Sequence, residues 1–81
     1  MTHTLTLKII SLKETLYDGD VASVTLPTTT GEITVLPRHA PIIGLLTQGT
    51  VSVHSGSEIK KISVVSGSYK VHQHELLLLL N

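Results

Sequence analysis

The chain has 81 residues, enough for one domain over residues 1–81 and for a core that removes about two-thirds of the unfolded surface from water. Its 6 basic and 6 acidic side chains cancel, which excludes a general electrostatic attraction to nucleic acid or acidic lipid. Cysteine is absent, which excludes disulfides, thiolate metal ligands and thiol nucleophiles.

The termini carry no targeting or membrane signal. Residues Met1–Lys8 lack the basic-then-apolar order of a secretory signal. The longest apolar run, Leu76–Leu80, is far shorter than the roughly 20 residues that a membrane helix needs. We therefore expect a soluble protein that reaches a membrane only through a partner.

Apolar residues alternate with polar ones in short runs along the chain. The alternating positions are Leu5, Leu7 and Ile9; Ala22, Val24 and Leu26; Ile33 and Val35; Val51 and Val53; and Tyr69 and Val71. Strands with one buried face produce this period of two, because successive side chains point to opposite sides. Turn-forming residues stand between the runs: Asp18–Asp20, Thr30–Gly31, Gln48–Gly49, Ser55–Ser57 and Ser66–Ser68. The pattern predicts an all-β, antiparallel flattened sandwich or barrel of roughly eight to ten strands, without a helix.

Two runs do not fit a simple alternation. In Glu58–Val65, Ile59 and Ile62 are out of phase. Either a bulge at Lys60–Lys61 restores the inward direction, or Ile59 lies on the outer face near a hairpin end. In Leu76–Leu80 both faces are apolar, so Leu77 and Leu79 need a cover. That cover is loops of the same domain, a partner, or a further segment of chain.

The loop between Pro37 and Pro41 carries Arg38 and His39. Each proline fixes its own φ and restricts the residue before it, so the loop is stiff. A stiff loop that holds charged and polar side chains away from a sheet suits docking to another surface.

These residues also carry a family resemblance. Gly31–Pro41 reads Gly-Glu-Ile-Thr-Val-Leu-Pro-Arg-His-Ala-Pro and resembles the most recognisable motif of the epsilon subunit of F-type rotary ATP synthases, called delta in mitochondria. Three further segments resemble the same N-terminal domain in the same order: Asp18–Pro27, Leu45–Val51 and Val65–Val71. The resemblance covers nearly the whole chain.

The resemblance implies a flattened ten-stranded β-sandwich at the foot of the central stalk. There the domain contacts the gamma subunit and the ring of membrane c subunits, and couples ring rotation to proton-driven ATP synthesis. It implies a peripheral location at the cytoplasmic face of the bacterial inner membrane, and no catalytic residue, cofactor or metal. The residues agree, since no nucleophile motif, phosphate-binding glycine loop or carboxylate pair is evident.

The resemblance also implies roles for particular positions. Glu32 and His39 correspond to polar contacts with the c-ring loops, and Arg38 adds a cation to that surface. Contacts with the gamma subunit are implied for Ala40, Pro41, Ile42 and Ile43. The alternatives are that Glu32 is an ordinary solvated carboxylate, that His39 binds local backbone, and that one of the two isoleucines fills the core.

Some positions depart from the family pattern. Arg38, Thr34 and Ser68 stand where glycine is common. If φ at position 38 is positive, Arg38 carries a steric cost that glycine would avoid. The family continues into a C-terminal helical hairpin, whereas this sequence stops at Asn81. We therefore expect neither an inhibitory role nor a nucleotide site from these residues.

A different class of function starts from the histidines. The chain has 5 of them: His3, His39, His54, His72 and His74. A small β-barrel metal-binding protein or enzyme could use such ligands, with His72 and His74 on the same side of a strand. However, Gln73–Glu75 has the character of a hairpin turn. A carbohydrate-binding sandwich would need more aromatic side chains than Tyr17 and Tyr69.

Overall fold

The computed structural model describes residues 4–81 and contains nine strands in that range. They are β1 (Leu5–Ile10), β2 (Thr15–Val21), β3 (Ser23–Thr28), β4 (Gly31–Val35), β5 (Ile42–Leu46), β6 (Gly49–Ser55), β7 (Glu58–Val64), β8 (Gly67–His72) and β9 (Glu75–Leu80). No helix long and apolar enough to cross a membrane occurs in these residues. The all-β prediction is confirmed, with nine strands where the resemblance implied ten. His3 lies outside the described residues.

The strands form one curled sheet in the order β2-β1-β9-β8-β5-β3-β6-β7, with β4 added on β3. All the strand pairs are antiparallel except β1 and β9, which run parallel. The prediction of a purely antiparallel sheet is wrong for this pair, because no hairpin joins β1 to β9 and constrains their direction. Lys60 Nζ of β7 lies 5.4 Å from the centre of the Tyr17 ring of β2. This contact brings the two ends of the strand path together, so the sheet folds over on itself.

One continuous core fills the inside of the curled sheet. Its apolar side chains are buried and come from every strand: Leu5, Leu7, Ile9, Val21, Val24, Leu26, Val35, Leu46, Val51, Val53, Val64, Tyr69, Val71, Leu76, Leu78 and Leu80. Each fully buried aliphatic side chain contributes roughly 1.5–3 kcal/mol relative to its exposed state. Of the predicted alternating positions, all are buried in this core except Ala22, which is exposed, and Ile33, which packs against the core.

The segment around Asp18–Asp20 is a strand and not the predicted turn. It lies inside β2, where Lys8 pairs with Asp18 and Leu7 with Gly19. The turn falls earlier, at Ser11–Glu14, where the Ser11 hydroxyl accepts the Glu14 N–H at 3.2 Å. Ala22 was expected to face the core but is exposed between β2 and β3. Asp18 and Asp20 both lie on the exposed side of this edge strand, so their charged side chains stay in water.

The β7 strand has no bulge. Its pairing with β6 runs unbroken from Gly49–Val64 to Ser55–Glu58. Ile59 is 58% exposed and sits one residue from the hairpin end, while Val64 is buried. The first explanation, a bulge at Lys60–Lys61, is therefore wrong, and the second, an outward Ile59, is confirmed.

The leucine run of β9 alternates as a strand should. Leu76, Leu78 and Leu80 are buried, whereas Leu79 is 45% exposed. Leu77 is half-buried and lines an open groove beside Lys8 and Ile10 of β1. The outer side of β9 is therefore only partly covered by the described residues.

The strand registers define two ends of the sandwich. Ile42 pairs with Val71 at one end of β5, and Leu46 pairs with Gly67 at the other. We call the first the Arg38 end; it carries the loop 36–41 and the hairpin turns 56–57 and 73–74. The second is the Glu32 end; it carries the loops 11–14, 29–30, 47–48 and 65–66.

Candidate interaction surface

Glu32 lies at the start of an edge strand. It is exposed on β4, opposite Pro27 of β3. The hairpin before it turns through Thr29 and Thr30 into Gly31, whose φ is 119°. The buried Thr28 hydroxyl donates to the Gly31 carbonyl oxygen and so stabilises this turn from its buried side. Glycine is needed here because side-chain-bearing residues rarely adopt such a φ.

Pro37 and Arg38 occupy the two central positions of a tight turn. The His39 N–H donates to the Leu36 carbonyl oxygen at 3.1 Å, which closes the turn across four residues. Arg38 has a φ of 70°. Proline followed by a residue of positive φ defines a type II turn, in which glycine is preferred at the second central position. Arg38 is therefore strained here, and it is also exposed.

The Thr34 and Ser68 positions behave differently from Arg38. Thr34 lies in β4 and Ser68 in β8, and neither has a positive φ. The Thr34 hydroxyl hydrogen-bonds the Thr25 hydroxyl at 3.1 Å across the strands. Glycine is thus not required at either position, as the sequence indicated.

His39 is held by its own backbone. Its Nδ1 donates to the Ala40 carbonyl oxygen at 2.7 Å, which leaves Nε2 as the ring atom available to a partner. The predicted alternative, a loop histidine bonded to local backbone, is therefore present in the structure. It does not compete with a contact through Nε2, because the two nitrogens lie on opposite sides of the ring.

The segment after His39 leads from an exposed loop into β5. Ala40 and Pro41 are exposed, Ile42 packs against the core, and Ile43 is 75% exposed. The two isoleucines face opposite ways, as expected for neighbours in a strand. Only Ile43 of this pair offers a large apolar side chain to a partner.

An apolar row on the outer face was not recognised from the sequence as one surface. Leu45 is 61% exposed and points the same way as Ile43, two residues along β5. Leu45 pairs with Ser68, and Ser68 pairs with Leu79 of β9. The small Ser68 side chain therefore lies between two exposed leucines. The sequence shows that Leu45 is two residues from Ile43 and therefore faces the same side of the strand. That Leu45 lies near Leu79 depends on the order of the strands in the sheet.

The predicted contact residues fall at opposite ends of the sandwich. Glu32 lies at the Glu32 end, and Arg38 and His39 lie beyond the other end of β4. Four residue steps along the chain lead from Glu32 to Leu36, a distance of roughly 13 Å at about 3.3 Å per step. The structure therefore brings Arg38 and His39 together but keeps Glu32 apart from them.

The described histidines do not form a metal site. Residues 4–81 contain no group of three histidine, aspartate or glutamate side chains placed to hold a metal ion. The predicted hairpin at Gln73–Glu75 is confirmed, since His72 ends β8 and Glu75 begins β9.

Fold and surface together define a β-sandwich domain with polar turns at both ends and an apolar row on its outer face. A family model described as the ATP synthase, Delta/Epsilon chain, beta-sandwich domain matches residues 4–81. The chain belongs to this family. This match confirms the family that the Gly31–Pro41 motif resembles. The alternative of a histidine metal site finds no support in residues 4–81.

The similar proteins include ATP synthase epsilon chains. The protein from Prochloron didemni is 36% identical over 78 residues, which are 96% of this chain and 57% of that protein. The protein from Leptospira borgpetersenii is 34% identical over 77 residues, 95% of this chain and 61% of that protein. The chain thus spans little more than half the length of these curated relatives.

Two solved structures share the fold. A chain of the Euglena gracilis mitochondrial ATP synthase, OSCP/F1/c-ring, superposes with a TM-score of 0.92 at 20% identity, over 99% of this chain and 52% of that chain. A chain of the Tetrahymena thermophila mitochondrial ATP synthase, central stalk/c-ring, gives a TM-score of 0.79 at 13% identity, over 98% of this chain and 66% of that chain. At these identities the likeness establishes the β-sandwich architecture.

Proposed function

We propose that this chain is the β-sandwich domain of a non-catalytic epsilon-type subunit in the central stalk of an F-type ATP synthase. The observation that carries the proposal is the family match over residues 4–81, the whole described chain. The domain couples rotation of the c-ring to the gamma subunit during proton-driven ATP synthesis. Residues 1–81 act as one domain, at the cytoplasmic face of the bacterial inner membrane, and bind no cofactor.

The proposal assigns separate contacts to the two ends of β4. Glu32 makes one polar contact with the c-ring, and Arg38 and His39 make another. Because roughly 13 Å of strand separates them, they engage different loops of the ring. Ala40, Pro41, Ile42 and Ile43 contact the gamma subunit, with Ile43 supplying the apolar side chain and Ile42 positioning the strand from the core.

Co-purification tests this function. A tagged copy of the chain is expressed with the gamma subunit and c-ring of the same organism, and captured material is quantified. We expect both partners to be captured, and Glu32→Ala and His39→Ala to lower the amount of c-ring retained. Rim contacts of this kind contribute about 0.2–1 kcal/mol each, a factor of roughly 1.4–5 in affinity, so each single variant should retain between about one-fifth and about 70% of the ring.

Glu58→Ala is the matched control. Glu58 is also an exposed carboxylate near the start of a strand that follows a hairpin turn, but it lies on β7, away from β4. Capture of neither partner by the unaltered chain would refute the function. Equal losses in Glu32→Ala and Glu58→Ala would refute the assignment of Glu32.

A further inference from the structure

The side of β4 that faces away from β3 is an open sheet edge. Among the strands of residues 4–81, β4 pairs with β3 alone. On the other side of β3, the Thr47 N–H donates to the Pro27 carbonyl oxygen at 3.0 Å, so the Pro27 backbone points away from β4. Opposite residues in an antiparallel pair alternate between bonded and non-bonded. Glu32, which lies opposite Pro27, therefore directs its own N–H and C=O away from β3.

Glu32 and Thr34 share this outward direction, because they lie two residues apart in the strand. Their two N–H and two C=O groups form a row along the open edge, and no backbone hydrogen bond within residues 4–81 uses them. The backbone groups of Ile33 and Val35 point the other way, toward β3. The edge thus offers alternating donors and acceptors to an added strand.

The two ends of the strand path are protected against strand addition, whereas β4 is not. β2 has a shift of register against β1 and carries the charged Asp18 and Asp20 on its exposed side. β7 carries Lys60 and Lys61, and lysine is a residue that natural sheet edges use against pairing. β4 contains no lysine, proline or bulge. Its residues Ile33–Val35 are all β-branched, which favours an extended strand.

Two copies of β4 are complementary when they pair antiparallel about a two-fold axis at Ile33. In this register Glu32 lies opposite Thr34 of the second copy, and the outward groups form four hydrogen bonds. Ile33, which is half-buried against the core, meets Ile33 of the second copy. Leu36, which is 55% exposed, reaches Thr30 of the second copy. A register with Glu32 opposite Glu32 would bring two carboxylates together and is disfavoured.

We propose that the open edge of β4 binds a second copy of this chain, so that the two β4 strands join into one sheet across a two-fold axis. An edge of 5 residues makes an interface of the weak class, below about 1,200 Å². We therefore expect a dissociation constant of about 0.1–1 mM. The dimer covers Glu32, which the proposed function assigns to the c-ring, so one edge does not make both contacts at once.

Amide exchange at several concentrations tests the edge. The purified chain of 81 residues is studied by sedimentation and by NMR between about 0.05 and 2 mM. We expect the apparent mass to rise toward that of two chains, and exchange of the Glu32 and Thr34 N–H groups to slow in step with it. The Ile33 and Val35 N–H groups, which already bond β3, should be protected at every concentration.

Opposite charges at position 34 test the register. Thr34 is exposed, so Thr34→Glu and Thr34→Lys leave the core unchanged. Thr34→Glu places two carboxylates against Glu32 in the dimer, whereas Thr34→Lys forms two ion pairs. The dissociation constant should rise with glutamate and fall with lysine, by roughly 2- to 30-fold in each case. Both variants lose the hydrogen bond to the Thr25 hydroxyl, so that loss cancels between them.

Thr50→Glu is the matched control, because Thr50 is exposed on β6, which is not an edge strand. It should leave the dissociation constant unchanged. Thermal unfolding checks that the variants are folded, and the exchange measurement on the unaltered chain tests the edge without them.

A chain that stays monomeric to about 2 mM would overturn the inference and leave the open edge to a strand of another protein. Association without protection of the Glu32 and Thr34 N–H groups would also overturn it, and so would equal effects of glutamate and lysine at position 34. Because only this chain is present, these results are separate from assembly with the gamma subunit and c-ring.

Discussion

Replacing Arg38 by glycine separates backbone strain from side-chain chemistry. With a φ of 70°, Arg38 sits where an L-residue costs roughly 1–2 kcal/mol. Glycine avoids that cost, but its greater conformational entropy in the unfolded chain lowers the free energy of unfolding by roughly 0.4–1 kcal/mol. The net expectation for Arg38→Gly is a stabilisation of about 0.5 kcal/mol. Because the chain is small, this corresponds to a rise in Tm of roughly 2–4 °C.

Arg38→Ala is the companion variant. Alanine keeps a Cβ and therefore keeps the strain, so its stability should stay within about 0.5 kcal/mol of the unaltered chain. Both variants remove the guanidinium, so both should lower the amount of c-ring retained in co-purification equally. Arg38→Gly should be more stable than Arg38→Ala, whereas the two variants should retain the same amount of c-ring.

Chemical denaturation of the three proteins, at one pH and with the same probe, provides the measurement. If Arg38→Gly unfolds at a lower denaturant concentration than Arg38→Ala, the reasoning from the turn is refuted. A difference in affinity between the two variants would show instead that the turn geometry itself is recognised by the partner.

Two further predictions concern the core. A Cβ on Gly67 would collide with the Leu79 carbonyl oxygen, so Gly67→Ala should destabilise the protein by about 1–3 kcal/mol, the typical cost of overpacking. Gly19→Ala, whose Cβ would meet Tyr17 at 3.7 Å, is the control and should be nearly neutral in denaturant unfolding. Leu78→Ala, at 0% exposure, should cost about 2–5 kcal/mol, whereas Leu79→Ala, at 45%, should cost under about 1 kcal/mol. Equal unfolding midpoints in the glycine pair would contradict the close approach of Leu79 to Gly67, and equal midpoints in the leucine pair would contradict the opposite directions of Leu78 and Leu79.

The predicted contact residues show which features of the site a local sequence pattern can predict. The motif at Gly31–Pro41 located Glu32, Arg38 and His39, and proline spacing indicated that their loop is stiff. The sequence left open whether φ at Arg38 is positive, because the turn type depends on a hydrogen bond between Leu36 and His39. The length of β4 separates Glu32 from the other two residues.

The errors have a common physical origin. Asp18–Asp20 has turn-forming residue types, yet it pairs with β1 because Ser11–Glu14 closes the turn first. Ala22 matched the period of Val24 by spacing, yet a bend between two strands places it outside. In both cases the local residue preference was weaker than the pairing of whole strands, which sums many backbone hydrogen bonds.

The sequence by itself determined which side of most strands faces inward, because alternation of apolar and polar residues depends only on neighbours along the chain. It also determined the family, through the Gly31–Pro41 motif. Only the tertiary structure decided which strands lie side by side. That order joins Leu45 to Leu79 across Ser68, and it places the start of β5 next to the end of β8. Such contacts are set by pairing between distant segments, and no local pattern encodes the identity of the neighbouring strand.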